Sequence, residues 1–343
     1  MPRALFTLVS LLALATVSVA QTSEPPATNE APPRAVTNGA IAVEHPESTA
    51  PAQPIPEPPD ALFAIPTRLD RIGRIVVPVM VNGRGPFQFV LDTGANATVI
   101  SAHLAATLAL DIDPTQTVMM NGVTGSALVP TASVASITSE GVGLSEQRLA
   151  VSDASGVGTD GVLGVDALRH KAVLVDFNHD RVEVFDASSH RPSDELIRLP
   201  AKLRLGNLLV VDALVGTHKV KAVVDTGGQR TLGNPALYDM LGYRHEIPSR
   251  EAAADVIGAT NARQPGERHI VRWVKMGDLR ITNLTVTFGD FYIFKLWDLQ
   301  SQPAIVIGMD MIGTLGIFGV DYLRREVQIR AEQRLGTRQR PHS

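Results

Sequence analysis

Cysteine does not occur in the 343-residue sequence. Its absence excludes a disulfide framework, a thiol nucleophile, a thiolate metal site and a lipid-anchored cysteine. An exported chain can do without disulfides if its hydrophobic core is large enough. The length leaves room for two domains of ordinary size, so the fold has to be held by packing and hydrogen bonds alone.

Other chemistries lack their residue patterns as well. The histidines show no His-x-x-x-His spacing suited to zinc, and no Gly-x-Ser-x-Gly nucleophile elbow occurs. Gly-x-Gly pieces such as Gly141-Val142-Gly143 lack the strand-turn-helix context of a nucleotide site. The net charge of −4 argues against a nucleic-acid partner, and the basic tail 331–343 is interpreted as a solvated end. We therefore expect neither a metal ion nor a cofactor.

The N-terminal segment has the pattern of an export signal. Arg3 supplies a positive start, Leu5–Val17 is apolar, and Ser18-Val19-Ala20 is a small-residue cleavage site. A membrane span is the alternative, but the apolar stretch is shorter than the ~20 residues that a helix needs to cross a bilayer. The pattern predicts a signal peptide over residues 1–20, no stable membrane anchor, and a periplasmic or secreted protein.

Two Asp-Thr-Gly triplets lie 133 residues apart, at Asp92–Gly94 and Asp225–Gly227, and an apolar run precedes each. One triplet alone is weak evidence, because Asp-Thr-Gly also forms ordinary turns. The flanks agree too, since Leu91–Ile100 aligns without a gap with Val224–Gly233. The chain carries the same strand-turn-strand-helix unit twice, which indicates an internal duplication.

The repeat continues beyond the triplets in an unchanged order. Gly161–Leu168 matches Ile305–Ile312, and Val173–Phe177 matches Ile317–Tyr322. Gaps are needed between these matched segments, because the number of residues from the Asp-Thr-Gly triplet to the next matched segment is larger in the second half than in the first. The duplication therefore covers most of the chain after the N-terminal arm.

Short β-rich runs broken by Gly, Asn and Asp dominate both halves, whereas helical signals are few. The predicted strands are Ile75–Val81, Phe87–Leu91, Ala127–Ser136, Leu149–Val151, Val173–Phe177, Val182–Phe185, Leu208–Leu214, Lys219–Val224, Arg268–Lys275, Leu284–Phe288, Ala304–Ile307 and Val327–Arg330. Ser101 can cap a helix over His103–Leu110, and Asn234 can cap one over Ala236–Leu241. The pattern predicts an all-β protein of two similar lobes, with the crossing between them at Arg198–Leu205.

These motifs resemble those of the retropepsin-like aspartic proteases. The shared marks are an apolar strand leading into Asp-Thr-Gly, a Gly-rich hairpin, and an apolar-apolar-Gly-x-Asp segment, and the resemblance covers roughly residues 65–330. It implies a bilobal, pseudo-twofold, all-β fold made of two retropepsin-like β-barrel lobes. It also implies an aspartic endopeptidase that acts on a peptide or protein substrate and is active as a monomer, because one chain already contains both units.

The resemblance and the composition together suggest a domain layout. The N-terminal lobe is expected over 61–197 and the C-terminal lobe over 198–330. The segment 21–60 holds ten of the 23 prolines and is interpreted as a disordered linker. A propeptide that covers the cleft is the alternative, but the segment lacks the basic, amphipathic helical character usual in such propeptides.

Peptide hydrolysis by water needs one group that accepts a proton from the water and another that protonates the substrate. Two carboxyls a hydrogen bond apart can do both, because like charges at that distance cannot both ionise and so share one proton. We assign Asp92 and Asp225 as this catalytic pair, one from each lobe.

The other residues of the triplets are expected to support the active loops. Gly94 and Gly227 let the backbone turn sharply and come close to the water and the partner loop. In the family the threonine hydroxyl hydrogen-bonds the opposite loop and locks the two carboxylates, and the resemblance implies this role for Thr93 and Thr226. The repeated apolar-apolar-Gly segments are expected to pack beneath the loops.

Two glycine-containing turns, with tips near Gly122 and Gly258, match the flaps that close over a peptide in this family. Neither contains the tyrosine of pepsin flaps, so we expect closure to resemble the retroviral mode. The positions that contact substrate main chain in the family are Asn96, Ala97, Gln229 and Arg230. The arginine has two interpretations, a salt bridge to a carboxylate between the lobes or recognition of an acidic or main-chain group of the substrate.

The sequence also allows two alternatives to a monomeric peptidase. A non-catalytic exported protein could keep the bilobal cleft and use it only to bind peptides, because a fold does not by itself prove activity. Alternatively, the two lobes of one active site could come from different molecules.

Overall fold

The computed structural model describes residues 8–10, 16–18, 63–66, 68–69, 73–152, 159–204, 206–243 and 252–331. The predicted cleavage site after Ala20, the proline-rich segment 21–60 and the tail beyond Ala331 lie outside the described residues.

The first half of the described chain is mainly antiparallel β-structure with two short helices. Its strands are β1 (Leu8–Ser10), β2 (Thr16–Ser18), β3 (Phe63–Pro66), β4 (Arg68–Leu69), β5 (Ile75–Val81), β6 (Arg84–Leu91), β7 (Val99–Ser101), β8 (Ile112–Gly122), β9 (Gly125–Ser139), β10 (Val142–Ser152), β11 (Gly161–Leu163), β12 (Lys171–Asp176) and β13 (Arg181–Asp186). Its helices are α1 (Ala102–Thr107) and α2 (Val165–Leu168).

The second half repeats this succession of elements. Its strands are β14 (Ile197–Arg204), β15 (Leu208–Val215), β16 (His218–Val224), β17 (Leu232–Gly233), β18 (Ala253–Ile257), β19 (Arg263–Met276), β20 (Leu279–Phe288), β21 (Ala304–Ile307), β22 (Leu315–Asp321) and β23 (Glu326–Ala331). Its helices are α3 (Pro235–Met240), α4 (Tyr292–Leu296) and α5 (Met309–Ile312).

The two halves have the same strand order. In the first, neighbouring strands follow the order β8-β9-β10-β7-β11-β6-β5, and in the second they follow β18-β19-β20-β17-β21-β16-β15. Each sheet curls so that two of its non-neighbouring strands also pair. These are β9 with β5 in the first half and β19 with β15 in the second. The predicted all-β fold of two similar lobes is therefore confirmed.

The sheet of the second half continues beyond β15 in the order β14-β23-β22-β12-β13-β3, and so it includes strands of both halves. Strand β12 of the first half pairs with β22 of the second, at Val173↔Val320. Residues 198–204 of the crossing predicted at Arg198–Leu205 lie in strand β14, which pairs with β15 on one side and β23 on the other. The backbone groups of this strand therefore find partners on both edges.

Apolar side chains from both lobes fill the interior. Phe89, Ile100 and Leu104 are fully buried in the first lobe, and Phe291 and Phe294 in the second. Burying a side chain of this size stabilises a fold by about 1.5–3 kcal/mol. A core of many such residues stabilises this chain without disulfides.

The two predicted helix caps are present. The Ser101 hydroxyl accepts the Leu104 amide at 3.0 Å, and the Asn234 side chain accepts the Leu237 amide at 2.9 Å. Helix α1 ends at Thr107 rather than at the predicted Leu110. Ala109 adopts the left-handed conformation at φ 50°, which terminates the helix, and the Leu110 amide donates to the Ala105 carbonyl.

Strands β1 and β2 pair with the two long hairpins, at Leu8↔Met119 and Val17↔Val256. Both fall within the segment predicted as a signal peptide. Within the described ranges, none of the helices is long and apolar enough to span a membrane.

Candidate active site

Each triplet follows a strand that ends in the centre of its lobe. Strand β6 ends at Leu91 beside the parallel strand β11, and β16 ends at Val224 beside the parallel strand β21. The amide of Asp92 donates to the Leu163 carbonyl at 3.0 Å. In the other lobe the amide of Asp225 donates to the Ile307 carbonyl, also at 3.0 Å. The same backbone pairing therefore presents both aspartates.

The two threonines of the triplets hold the lobes together by four hydrogen bonds. The Thr93 hydroxyl donates to the Val224 carbonyl at 2.9 Å and accepts the Thr226 amide at 3.1 Å. In return, the Thr226 hydroxyl donates to the Leu91 carbonyl at 2.6 Å and accepts the Thr93 amide at 3.0 Å. All four bonds cross between the lobes, so they define the relative position of the two aspartates.

Glycine is required at positions 227 and 228, beside the two carboxylates. A Cβ atom at Gly227 would lie 2.1 Å from Oδ2 of Asp92, the aspartate of the opposite lobe. A Cβ at Gly228 would lie 2.6 Å from Oδ2 of Asp225. Both distances are far below van der Waals contact, so any side chain here would displace a carboxylate. The triplet of one lobe therefore reaches the carboxylate of the other.

Backbone amides of the triplets orient the two carboxylates. Oδ1 of Asp92 accepts the Gly94 amide at 2.7 Å. Oδ1 of Asp225 accepts the amides of Gly227 at 2.9 Å and Gly228 at 3.0 Å. Asp92 and Asp225 have 0% and 1% of their surface exposed, so the pair is withdrawn from bulk solvent.

Burial and mutual contact shift both carboxyl pKa values. Burial raises the pKa of Asp92 to about 6, against lowering by the Gly94 amide, the Asp225 carboxyl and the Arg74 guanidinium. Burial, and then the charge of Asp92, raise the pKa of Asp225 well above its ordinary value. Because two adjacent buried carboxylates repel each other, they share a single proton near neutral pH.

A second threonine in each lobe binds the active loop to the apolar-apolar-Gly-x-Asp segment of the same lobe. The Thr98 hydroxyl donates to Asp166 at 2.7 Å, and the Thr231 hydroxyl donates to Asp310 at 2.7 Å. Each hydroxyl also accepts the amide of the glycine that precedes a short helix, at 3.2 Å in both lobes. The two aspartates occupy matching positions of the repeat, but their threonine partners lie too far away in sequence to be predicted from local spacing.

The tips of the two predicted flaps contact each other. Thr124 of the β8–β9 turn donates its hydroxyl to the Ala262 carbonyl at 2.7 Å and accepts the Gly258 amide at 3.0 Å. A Cβ atom at Gly122 would lie 3.1 Å from the Ala259 amide. Each flap therefore packs on the other lobe's flap rather than closing alone.

Helix α4 of the second lobe also contacts the first flap. The Ile293 amide donates to the Val123 carbonyl at 3.0 Å, and the Tyr292 hydroxyl donates to Oδ1 of Asn121 at 3.2 Å. This helix lies in the segment between β20 and β21, where the second half is longer than the first. The gap in the repeat was the only sequence signal for it.

The predicted substrate-contacting residues differ between the lobes. Asn96 and Ala97 are half-buried, and a Cβ atom at Gly206 would lie 2.7 Å from the Asn96 amide nitrogen. Gln229 is half-buried, whereas Arg230 is exposed. Among the described residues Arg230 has no carboxylate within ion-pair distance, although its charge lowers the pKa of Asp310 in its own lobe. Arg230 therefore does not form the predicted salt bridge with any described carboxylate.

Comparison with protein-family models finds a match to the family described as Aspartyl protease. The match covers residues 77–167 and, separately, residues 211–311. Each matched region contains one Asp-Thr-Gly triplet and one apolar-apolar-Gly-x-Asp segment, as a duplicated form requires. Comparison with the curated proteins finds no significant match.

Proposed function

The chain belongs to the aspartyl protease family, and on this basis we propose that it is an endopeptidase that activates water between Asp92 and Asp225. The observation that carries the proposal is the crossed hydrogen bonding of Thr93 and Thr226, which brings two buried carboxyls together from the two lobes. A surface turn would need neither the burial nor the contact between lobes.

The unequal pKa values support different roles for the two carboxyls. Asp92 is the ionised base that takes a proton from the attacking water, while Asp225 donates its proton to the carbonyl oxygen of the scissile bond. The water oxygen then bonds to the carbonyl carbon and gives a neutral gem-diol. When the C–N bond breaks, Asp92 returns its proton to the leaving nitrogen and Asp225 recovers one from a hydroxyl group. Both groups end as they began.

The flaps are proposed to exclude water and to hold an extended peptide above the dyad. Their tips are buried against each other, so a substrate must separate them to enter and can be covered afterwards. No resident cofactor is needed in this scheme, because both proton transfers use side chains of the chain itself.

A peptide library analysed by mass spectrometry tests the proposal. The wild-type protein should cleave a subset of peptides, and Asp92→Asn or Asp225→Asn should lower the rate by roughly 100-fold to 10,000-fold. Asp278→Asn, which changes an exposed aspartate, is the matched control. Peptide binding without cleavage by the wild type would instead identify a non-catalytic peptide-binding protein. Undiminished cleavage by Asp225→Asn would show that another group replaces the second lobe's carboxyl.

We further propose that the protein is exported to the periplasm or secreted and works as a monomer. The apolar segment before Ser18-Val19-Ala20 supports export, and the two triplets in one chain support a monomer. N-terminal sequencing of the mature protein should begin at Gln21. Specific activity that rises with protein concentration would point instead to a site assembled from two molecules.

A further inference from the structure

Two short strands near the N-terminus extend the sheets of both lobes at the flaps. Strand β1 pairs with β8 so that Ser10 lies opposite Asn121, and β2 pairs with β18 so that Thr16 lies opposite Ile257. Among the described strands, β8 and β18 otherwise have a neighbour on one side only, β9 and β19 respectively. An edge of this kind accepts an extended chain through main-chain hydrogen bonds. Each flap therefore offers one site for strand addition, and the N-terminal segment fills both.

The internal repeat relates the two pairings to each other. Residues 119–121 and 255–257 each run up to the glycine of a flap tip, Gly122 or Gly258, and so occupy equivalent positions. Positions 8 to 10 on the first flap correspond to positions 18 to 16 on the second, so the two registers are symmetric about position 13 of the sequence.

The strand directions agree with this symmetry. Strand β1 is parallel to β8, whereas β2 is antiparallel to β18. A pseudo-twofold axis reverses the direction of one flap strand relative to the other, so a single chain that meets both must be parallel to one and antiparallel to the other. The two registers are therefore those of one chain that adds to both flaps in turn.

The length and composition of the segment suit this arrangement. Five residues, 11–15, separate β1 from β2, and a chain extends by at most about 3.5 Å per residue, so the two pairings lie within roughly 20 Å of each other. The flap tips are themselves in contact, because the Gly258 amide donates to the Thr124 hydroxyl at 3.0 Å. Leu5–Val17 contains no charged residue, proline or glycine, and such a composition favours strand formation.

We propose that β1 and β2 together occupy the peptide-binding edges of the flaps in cis and keep the unprocessed chain inactive. This inference rests on the proposed peptidase function, because an extended substrate that adds to the flaps needs the same edges. Hydrolysis of the Ala20–Gln21 bond by a separate export peptidase consumes one water and leaves the segment as a free peptide. The free peptide loses the effective concentration, on the order of millimolar, that the tether provides, so substrate can replace it. Removal of the segment is thus also the activating step.

Amide hydrogen exchange on the full chain tests the docking without any catalysis. All proteins carry Asp225→Asn, which prevents self-cleavage. Since successive strand residues direct their amides to opposite edges, two adjacent prolines remove at least one pairing donor from a strand. The strand variant carries two such pairs, Val9→Pro with Ser10→Pro and Thr16→Pro with Val17→Pro. The matched control carries two pairs in the proline-rich segment, Ala27→Pro with Thr28→Pro and Thr37→Pro with Asn38→Pro.

The strand variant should exchange faster than the unsubstituted chain at the amides of residues 119–121 and 255–257 that face β1 and β2. The expected factor is roughly 10-fold to 100-fold, as for the loss of two or three backbone hydrogen bonds. The control should exchange like the unsubstituted chain. Equal exchange in all three proteins would overturn the inference. Protection that grows with protein concentration would also overturn it, since the segment would then come from a second molecule.

The cleavage rate on the peptide library, with Asp225 restored, gives the second measurement. The strand variant should cleave faster than the intact full chain by a similar factor, and the control should not. Equal cleavage rates in spite of different exchange would overturn the inhibitory role. An exchange difference as expected, with no peptide cleaved by any of the proteins, would contradict the proposed peptidase function and support the docking of the segment.

Discussion

The Thr124 hydroxyl of the first flap donates to the Ala262 carbonyl of the second flap, 2.7 Å away. The two residues are 138 positions apart in sequence, and their contact joins the two halves at the flaps as Thr93 and Thr226 join them at the triplets. The lobes are therefore joined by hydrogen bonds at two separate places. If the chain is a peptidase as proposed, we expect substrate entry to break the bonds between the flaps and to leave those between the triplets intact.

The rate should depend on pH with an acidic limb near pH 6. Asp92 has to be ionised to accept a proton, and burial raises its pKa to about 6. Below that value kcat/KM should fall about tenfold per pH unit. A second limb should appear at higher pH, where Asp225 loses the proton that it donates. Full activity at pH 3 would contradict this assignment of the base.

Stability should fall as pH rises, through the same two carboxyls. Each has a folded-state pKa above its unfolded value, so the native state binds more protons than the unfolded state in the intervening range. Their contribution is complete below about pH 4 and is lost as pH passes the folded pKa values. Asp225→Asn should therefore have a higher Tm than wild type at pH 8 and no advantage at pH 4. Calorimetry at the two pH values measures this, and Asp278→Asn should show no such difference.

Thr93→Val should destabilise the protein by about 2–4 kcal/mol, because it leaves the Val224 carbonyl and the Thr226 amide buried without their partner. Thr93→Ser keeps the hydroxyl and should cost only about 1 kcal/mol for the lost methyl group. Urea unfolding provides the measurement. Equal losses in the two variants would show that the methyl packing matters and the hydrogen bonds between lobes do not.

Tyr292→Phe should loosen the first flap. It removes the hydroxyl that donates to Asn121, and a neutral hydrogen bond contributes about 0.5–1.5 kcal/mol, or roughly 2-fold to 10-fold in an opening equilibrium. Amide hydrogen exchange in β8 and β9 should accelerate by that factor. Tyr243→Phe is the matched control, since its hydroxyl donates to the Ile270 carbonyl within the second lobe. Identical exchange in both variants would mean that helix α4 does not restrain the flap.

Arg230→Ala should change which peptides are cleaved. The side chain is exposed, and a charge-assisted hydrogen bond to an acidic or polar substrate group contributes about 1.5–3 kcal/mol, or roughly tenfold to a hundredfold in rate. Cleavage profiles of wild type and Arg230→Ala on one peptide library test this, with the exposed Arg272→Ala as control. If the profiles coincide and only thermal stability falls, the arginine has a structural role and no part in specificity.

Local features were predicted from the sequence where the cause is itself local. Ser101 and Asn234 cap helices three residues on, and the strand before each triplet follows from its apolar run. By contrast, the partners of Thr98 and Thr231 lie 68 and 79 residues away, and helix α4 left only a gap in the repeat as a signal. Pairings at such separations depend on how the sheets curl, which no short window of sequence contains.

By itself, the sequence determined that one unit is present twice and that each copy ends a buried strand in Asp-Thr-Gly, because apolar runs, turns and repeats are carried by neighbouring residues. Only the tertiary structure decided that the flaps meet at Thr124 and that Thr93 and Thr226 exchange hydrogen bonds across the lobes. It also decided the shifted pKa values, since burial and the approach of distant charges arise when the two lobes pack together. The duplication can thus be recognised from the sequence, whereas the difference in pKa between Asp92 and Asp225 arises from the fold.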